Sequence, residues 1–237
     1  MTDHLVTSSG TKRVHAPRQR RSHETMERVL ATFTRMLERK PFEAITIAEL
    51  ARRSRVAVTS IYARFADKQA LVLAAHDRHR EAVLQLVYRE LDPARWQGKD
   101  LETIVRECLG PMIAGWWRNV PLIRAALLVN DREINERAAE MLRHISERLA
   151  LLLGPHLTWL SPSERDQAID FAFRGVMAVM HQRLVFGEVE PMRFHLTQEE
   201  LNSRLVDQFL TLALGARRES KRPGRSSRTA TKPARRI

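Results

Sequence analysis

The chain has little cysteine and none of the long apolar runs that membrane proteins carry. Its 237 residues include one cysteine, Cys108, which excludes an intramolecular disulfide framework. No stretch of 18 uninterrupted apolar residues occurs, and the first residues carry charges where an export signal has an apolar core. We therefore expect a cytoplasmic protein without a membrane partner.

The motifs of common catalytic and cofactor sites are also missing. The chain has no glycine-rich phosphate loop, no Gly-x-Ser-x-Gly elbow and no His-Glu-x-x-His motif. His76 and His79 lie three residues apart on a predicted helix, but no convincing third ligand accompanies them, which favours exposed histidines over a metal site. We expect neither an enzyme nor a bound cofactor.

The net charge of +12 is concentrated at the two ends of the chain. Residues 1–21 carry five basic residues and one acidic residue, and residues 216–237 carry nine and one, so we predict a disordered basic arm and a disordered basic tail. Residues 22–215 hold 26 basic and 26 acidic side chains. Within this neutral body, residues 50–68 hold five basic residues against one acidic residue, which favours sequence-directed nucleic-acid binding.

Residues 46–71 have the pattern of two short helices joined by a tight turn. Thr46 and Glu49 form the Thr-x-x-Glu capping box that starts a helix, and Ser54–Val56 is the predicted turn. A second helix is predicted from about Ala57 to Phe65. Its outward side chains suit hydrogen bonding to base edges in a major groove. The segment therefore predicts a helix-turn-helix whose partner is a double-stranded DNA operator.

This segment resembles the DNA-binding domain of the TetR family of transcriptional regulators. The resemblance is carried by the spacing of aliphatic, Tyr, Phe, Lys and Leu residues in Ile61–Leu71, and by the preceding apolar helix Met26–Leu37. It covers residues 22–72 and implies that Tyr62 and Lys68 contact DNA phosphates. The residues expected to bind DNA are Thr46, Val58, Thr59, Ser60, Tyr62, Arg64 and Lys68.

Three positions of this segment differ from the residues usual in the family, and the first is Pro41, which stands where members commonly have glycine before the phenylalanine that closes the first loop. Arg55 stands in the turn where the family usually has glycine, and a left-handed backbone there would cost about 1 kcal/mol with any side chain. Val58 stands where the family often has a polar residue. Its side chain either contacts a thymine methyl group or packs within the domain.

Beyond residue 72 the sequence predicts helices and no strand of useful length. A long helix reaches about residue 91, and Asp92–Lys99 is the best boundary candidate. Capping patterns predict the last two helices at 162–186 and 198–214. The predicted fold is all-α: a three-helix domain at 22–72 is linked by the long helix to a helical bundle at 73–215 that binds a ligand and dimerises.

The predicted helix 162–186 is apolar on two sides, one bulky and one made of small residues. Both sides could belong to the core of a monomeric bundle. The alternative, which the family resemblance also implies, is an interface of four helices between two identical subunits. The residues expected in this homodimer interface are Ala168, Ala172, Gly175, Val179, Leu205, Phe209 and Leu212.

Aromatic and methionine residues of the bundle are candidates for a hydrophobic small-molecule effector site. Core packing is the alternative for each of them, and adjacent tryptophans point about 100° apart, so at most one should face a pocket. The candidate pocket residues are Met112, Trp116, Trp117, Phe171, Met177, Met180 and His181.

The sequence thus predicts a ligand-responsive, homodimeric regulator that represses through a palindromic operator. An architectural DNA-binding protein that uses its basic tails and has no effector is the alternative. A helical scaffold or an enzyme of the bundle class comes third.

Overall fold

A computed structural model describes residues 16–187, 189 and 191–220. These residues form helices without strands, which confirms the all-α prediction. Short 3-10 turns occur at Phe42–Ala44, Pro93–Trp96 and Gly154–His156. The α-helices are α1 (Ala16–Leu37), α2 (Ile47–Ser54), α3 (Val58–Tyr62), α4 (Lys68–Glu90), α5 (Leu101–Arg118), α6 (Val120–Val129), α7 (Arg132–Leu153), α8 (Pro162–Phe186) and α9 (Gln198–Ser220).

The chain divides into two compact units. Among the described residues, unit 1 consists of those within Met1–Arg78 and Pro121–Asp131, and unit 2 consists of those within His79–Val120 and Arg132–Ile237. The division falls inside α4, six residues beyond the boundary predicted at residue 72, and α6 clusters almost wholly with unit 1. The first half of α4 contributes buried aliphatic side chains to unit 1, and an unbroken helix has no cap or turn residue that would mark such a division in the sequence.

Unit 1 is built around the apolar stripe of α1. Phe33 in this stripe is fully buried and meets the Phe42 ring edge to face, with the ring centroids 6.4 Å apart. The helix begins at Ala16, earlier than the predicted start at residue 22. Pro17 had indicated an arm, but proline is tolerated in the first turn of a helix because its missing N–H has no partner there. The rest of the predicted arm, residues 1–15, lies outside the described residues.

Unit 2 has one continuous core drawn from α4, α5, α7, α8 and α9. The segment Asp92–Lys99, expected to be a domain boundary, belongs to this unit instead. Its Trp96 is buried in the core, and the indole Nε1 donates a hydrogen bond of 2.7 Å to the carbonyl of Glu90. An aromatic residue fixed in this way makes the segment part of the core packing of unit 2.

The last two helices begin where the sequence predicts. Ser161 and Glu164 form a reciprocal capping box at the start of α8, which spans the predicted 162–186. In contrast, α9 runs through Gly215 to Ser220 and does not end at residue 214. Glycine costs about 1 kcal/mol within a helix, but the following Ala-Arg-Arg-Glu segment consists of good helix formers. The remaining tail, 221–237, lies outside the described residues.

The small side of α8 packs on α9 of the same chain. A Cβ atom at Gly175 would lie 2.7 Å from Gln208 Nε2 and 3.0 Å from Leu212 Cδ1. Three residues expected in the subunit interface, Ala172, Leu205 and Phe209, are already buried within the single chain and offer no surface to a second copy. The other four, Ala168, Gly175, Val179 and Leu212, are partly buried. Small residues give the same sequence pattern whether a helix of the same chain or a second subunit covers them, so an interface over these four residues stays a prediction.

Candidate nucleic-acid interface

The first helix of the motif is capped by Thr46, whose Oγ1 accepts a hydrogen bond of 3.2 Å from the Glu49 amide. The Glu49 carboxylate does not complete the predicted capping box. It accepts hydrogen bonds from Lys40 and, at 2.9 Å, from Arg53. The hydrogen bond from Lys40 is the largest cause that lowers the pKa of Glu49 below its ordinary value, and that from Arg53 adds to it. Thr46 is exposed, but it serves mainly to start α2.

The turn after α2 is a left-handed helix end. Arg55 has φ 55° and ψ 44°, so the backbone at this position is left-handed, the case that the sequence left open. The Val56 amide donates to the Ala51 carbonyl at 3.0 Å, and the Arg55 amide donates to the Arg52 carbonyl at 3.4 Å. These two bonds are those of a Schellman motif, in which glycine is the usual left-handed residue.

The second helix, α3, is shorter than predicted but presents the expected side. It ends at Tyr62, because the Arg64 and Phe65 amides both bond the Ile61 carbonyl and close the helix with a tighter turn. Val58 is 39 % exposed, so its methyl groups are available to a partner. The outward side of α3 is uncharged and consists of Val58, Thr59, Ser60, Tyr62 and Ala63.

Arg64, expected to bind DNA through a base or a phosphate, is held within unit 1. Its Nη1 donates a hydrogen bond of 2.7 Å to the Ser60 carbonyl, and its Nη2 donates one of 3.2 Å to Ser22 Oγ near the start of α1. The guanidinium therefore joins the end of α3 to α1. To read a base, it would have to exchange these bonds for contacts with DNA.

Lys68, expected to contact a phosphate, points into its own domain. Its Nζ donates to the carbonyl oxygens of Phe42, Glu43 and Ile45 at 3.0, 3.2 and 3.2 Å. The same nitrogen lies 4.3 Å from the centroid of the Phe42 ring. An ammonium group has three hydrogens, and all three have partners here. In this geometry Lys68 fastens the 3-10 turn Phe42–Ala44 to the start of α4, and no donor remains for a phosphate.

Residues 29–75 match the family model of bacterial regulatory proteins, tetR family. Over these residues the chain is similar to the DNA-binding domain of TetR-family regulators. Among solved structures, a putative TetR-family regulator from Mesorhizobium loti MAFF303099 is similar over 82% of this chain and 98% of that one, with 14% identity and a TM-score of 0.60. A transcriptional regulator from Aquifex aeolicus VF5 covers 79% of this chain and 99% of its own, also at 14% identity, with a TM-score of 0.54. No curated protein matches the chain.

Three of the candidate effector residues, Trp116, Trp117 and His181, lie close together. The Trp116 and Trp117 rings are 4.9 Å apart and meet edge to face, and Trp117 Nε1 donates a 2.6 Å hydrogen bond to Asn202 Oδ1. His181 lies 6.5 Å from the Trp116 ring, and partial burial lowers its pKa. Phe171, by contrast, is 63 % exposed and points away from the core.

The remaining candidates are core or near-core residues. Met180 is buried, while Met112 and Met177 are partly buried against the core of unit 2. The cleft of about 730 Å³ in unit 2 lies elsewhere, between α7 and the start of α8, and its lining includes Arg143, Glu147 and Asp166. None of the seven candidate pocket residues lines this cleft.

Two further features are absent from the part of the chain that the structure describes. No helix there has the length and hydropathy needed to cross a membrane. No group of three His, Cys, Asp or Glu side chains is placed to hold a metal ion in those same residues.

Proposed function

We propose that the protein is a homodimeric repressor that binds a palindromic operator through α2 and α3 of each subunit and is released by an apolar effector. One observation carries the DNA-binding part. The outward side of α3 is uncharged and exposed, and it follows a helix end rich in arginine. Side chains of this kind suit base edges, and flanking cations suit the phosphate backbone.

A binding titration tests this part. Duplexes selected by the protein from a random library should bind more tightly than scrambled duplexes, and the affinity for both should fall as salt rises. Equal affinity for every duplex would contradict operator recognition and favour the architectural alternative.

A second protein copy is supported by an exposed apolar stripe on α8. Phe171 and Val185 are 63 % and 75 % exposed, and Ala178 lies between them at intervals of seven residues on the same side of the helix. Large exposed apolar patches favour a protein partner. The stripe replaces the buried small side of α8 as the proposed homodimer surface.

The effector part is supported by the half-buried aromatic group on α5 and α8. Trp116, Trp117 and His181 combine apolar ring surface with polar ring atoms close to the core of unit 2. An effector that favours a subunit arrangement unable to bind DNA would lower operator affinity. A library of apolar compounds should yield one that quenches tryptophan fluorescence, raises the melting temperature and releases DNA. If no compound does all three, the effector part fails.

A further inference from the structure

We propose that Arg55 is a DNA-phosphate contact presented by the left-handed turn between α2 and α3. The inference rests on the proposed DNA-binding function and goes beyond it. Neither the family resemblance nor the α3 surface assigns this residue a contact. It also moves the main cationic contact away from Lys68, where the sequence predicted it.

The first observation is the strained backbone of Arg55. Among the described residues, the positive-φ positions other than glycine are Arg55 and Asn130, with φ of 55° and 49°. Asparagine adopts this conformation more readily than most residues, because its short polar side chain can hydrogen-bond locally, whereas arginine adopts it at a cost in free energy. Arginine thus occupies a turn position that glycine would fill at lower cost in free energy. A strained residue of this kind is a reason to look for a function.

The second observation concerns the hydrogen-bond and ion-pair partners of the cationic side chains in unit 1. Lys68 donates to three carbonyls, Arg64 to Ser60 and Ser22, and Arg53 to Glu49. The Arg55 side chain is exposed and has no hydrogen-bond or ion-pair partner within the described part of the chain. Its charge is therefore available to an external anion without the loss of an internal bond.

The third observation is where the residue lies. Arg55 ends α2 and stands three residues before Val58, the first residue of α3. In a helix-turn-helix the first helix crosses the DNA backbone, and the recognition helix turns its N-terminal residues toward the bases. A cation at the end of the first helix is then close to phosphate. Phosphate contacts of this kind fix the register of the recognition helix.

The test compares three full-length Arg55 variants and one control variant for binding to the selected duplex and to a scrambled duplex. Arg55→Gly and Arg55→Asn both remove the charge and suit a left-handed backbone. Arg55→Lys keeps the charge and the strain. Arg53→Ala is the matched control, because Arg53 is also exposed but is bonded to Glu49 at 2.9 Å.

Arg55→Gly should weaken binding to both duplexes by the same factor, about ten- to a hundredfold near 0.1 M salt. The salt slope, that is, the slope of log affinity against log salt concentration, should decrease in magnitude by about 1.8, or 0.9 for each subunit. The melting temperature of this variant should rise by about 2–4 °C as the strain is removed. Arg55→Asn should lose affinity in the same way. Arg55→Lys should keep the slope, since a point charge satisfies a phosphate, and Arg53→Ala should change the slope less than Arg55→Gly does.

Three results would overturn the proposal. Wild-type affinity and slope in Arg55→Gly would make Arg55 a solvated side chain. A loss confined to the selected duplex, repeated in Arg55→Lys, would make it a base-reading residue. A lower melting temperature in Arg55→Gly would remove the strain argument. If the wild-type protein itself binds no duplex, the proposed function fails as well, so the two failures are distinguishable.

Discussion

The outward side of α3 is mainly polar and that of α8 is apolar, and a different partner is proposed for each. The α3 side carries hydroxyl groups and small side chains, as in Thr59 and Ser60, whereas the α8 stripe carries Phe171, Ala178 and Val185. Polar groups on α3 can exchange water for base edges, while the apolar groups on α8 gain free energy only when a second surface excludes water. Two exposed helical surfaces in one chain therefore indicate two different kinds of partner.

The largest expected effect is at the α8 stripe. Phe171→Asp would bury an unpaired carboxylate in the proposed dimer interface, which should weaken association by several kcal/mol. Light scattering over a concentration series should show monomers where the wild type is dimeric. Operator affinity should fall as well, because a palindrome engages two subunits at once.

The control for this change is Leu128→Asp on α6. Leu128 is 58 % exposed, close to the 63 % of Phe171, but it belongs to unit 1. It should leave the oligomeric state unchanged. An intact dimer in Phe171→Asp would show that the stripe is not the interface and would break the comparison between α3 and α8.

The next effect separates the inner side of α8 from its outer stripe. Gly175→Leu should destabilise each chain by about 1–3 kcal/mol, because even a Cβ would lie 2.7 Å from Gln208 Nε2. Urea unfolding measures the loss. Gly215→Leu is the control, since its Cβ would meet nothing within 4 Å and leucine favours the helix. A stable but monomeric Gly175→Leu protein would restore the small side of α8 as a subunit interface.

A smaller effect concerns the cations of unit 1 that point inward. Lys68→Met should lower the free energy of unfolding by about 1–3 kcal/mol, because three carbonyls lose a charged donor and only water at this partly exposed site can replace it. Lys99→Met, at an exposed lysine, should leave stability unchanged. Urea unfolding and the salt slope of DNA binding are measured together. Unchanged stability with a lower slope would make Lys68 the phosphate contact that the sequence predicted.

Local signals predicted the helices well. The start of α2 at Thr46 and the bounds of α8 depend on capping residues that lie a few positions apart in the sequence. Such patterns can be recognised without knowledge of the tertiary structure. The left-handed turn at Arg55 was left open, because arginine stands where the family usually has glycine.

Contacts between distant segments were not predicted. Lys68 meets the Phe42 carbonyl 26 residues away, and Arg64 meets Ser22 42 residues away. The direction of such long side chains depends on which carbonyl groups lie near them in the folded chain. The spacing of residues in the sequence does not contain this information. For a related reason the sequence does not separate packing within a chain from packing between subunits, since Ala172 and Phe209 look apolar whichever chain covers them.

The smallest effect tests whether the ion pairs beside the DNA-binding turn are structural. The pKa of Glu49 lies below its ordinary value of 4.5, chiefly because Lys40 donates a hydrogen bond to the carboxylate, with Arg53 adding to it. A pKa that folding lowers adds stability above the unfolded value and loses it as the pH falls through the folded value. Wild type should therefore lose more stability than Glu49→Gln on acidification from about pH 6 to about pH 3. Glu43→Gln, at a neighbouring exposed carboxylate, is the control, and its acid profile should follow that of the wild type. If the Glu49→Gln profile runs parallel to the wild type as well, solvent screens the pairs of Glu49 completely. Lys40 and Arg53 would then join Arg55 among the cations of unit 1 that are free to approach a phosphate.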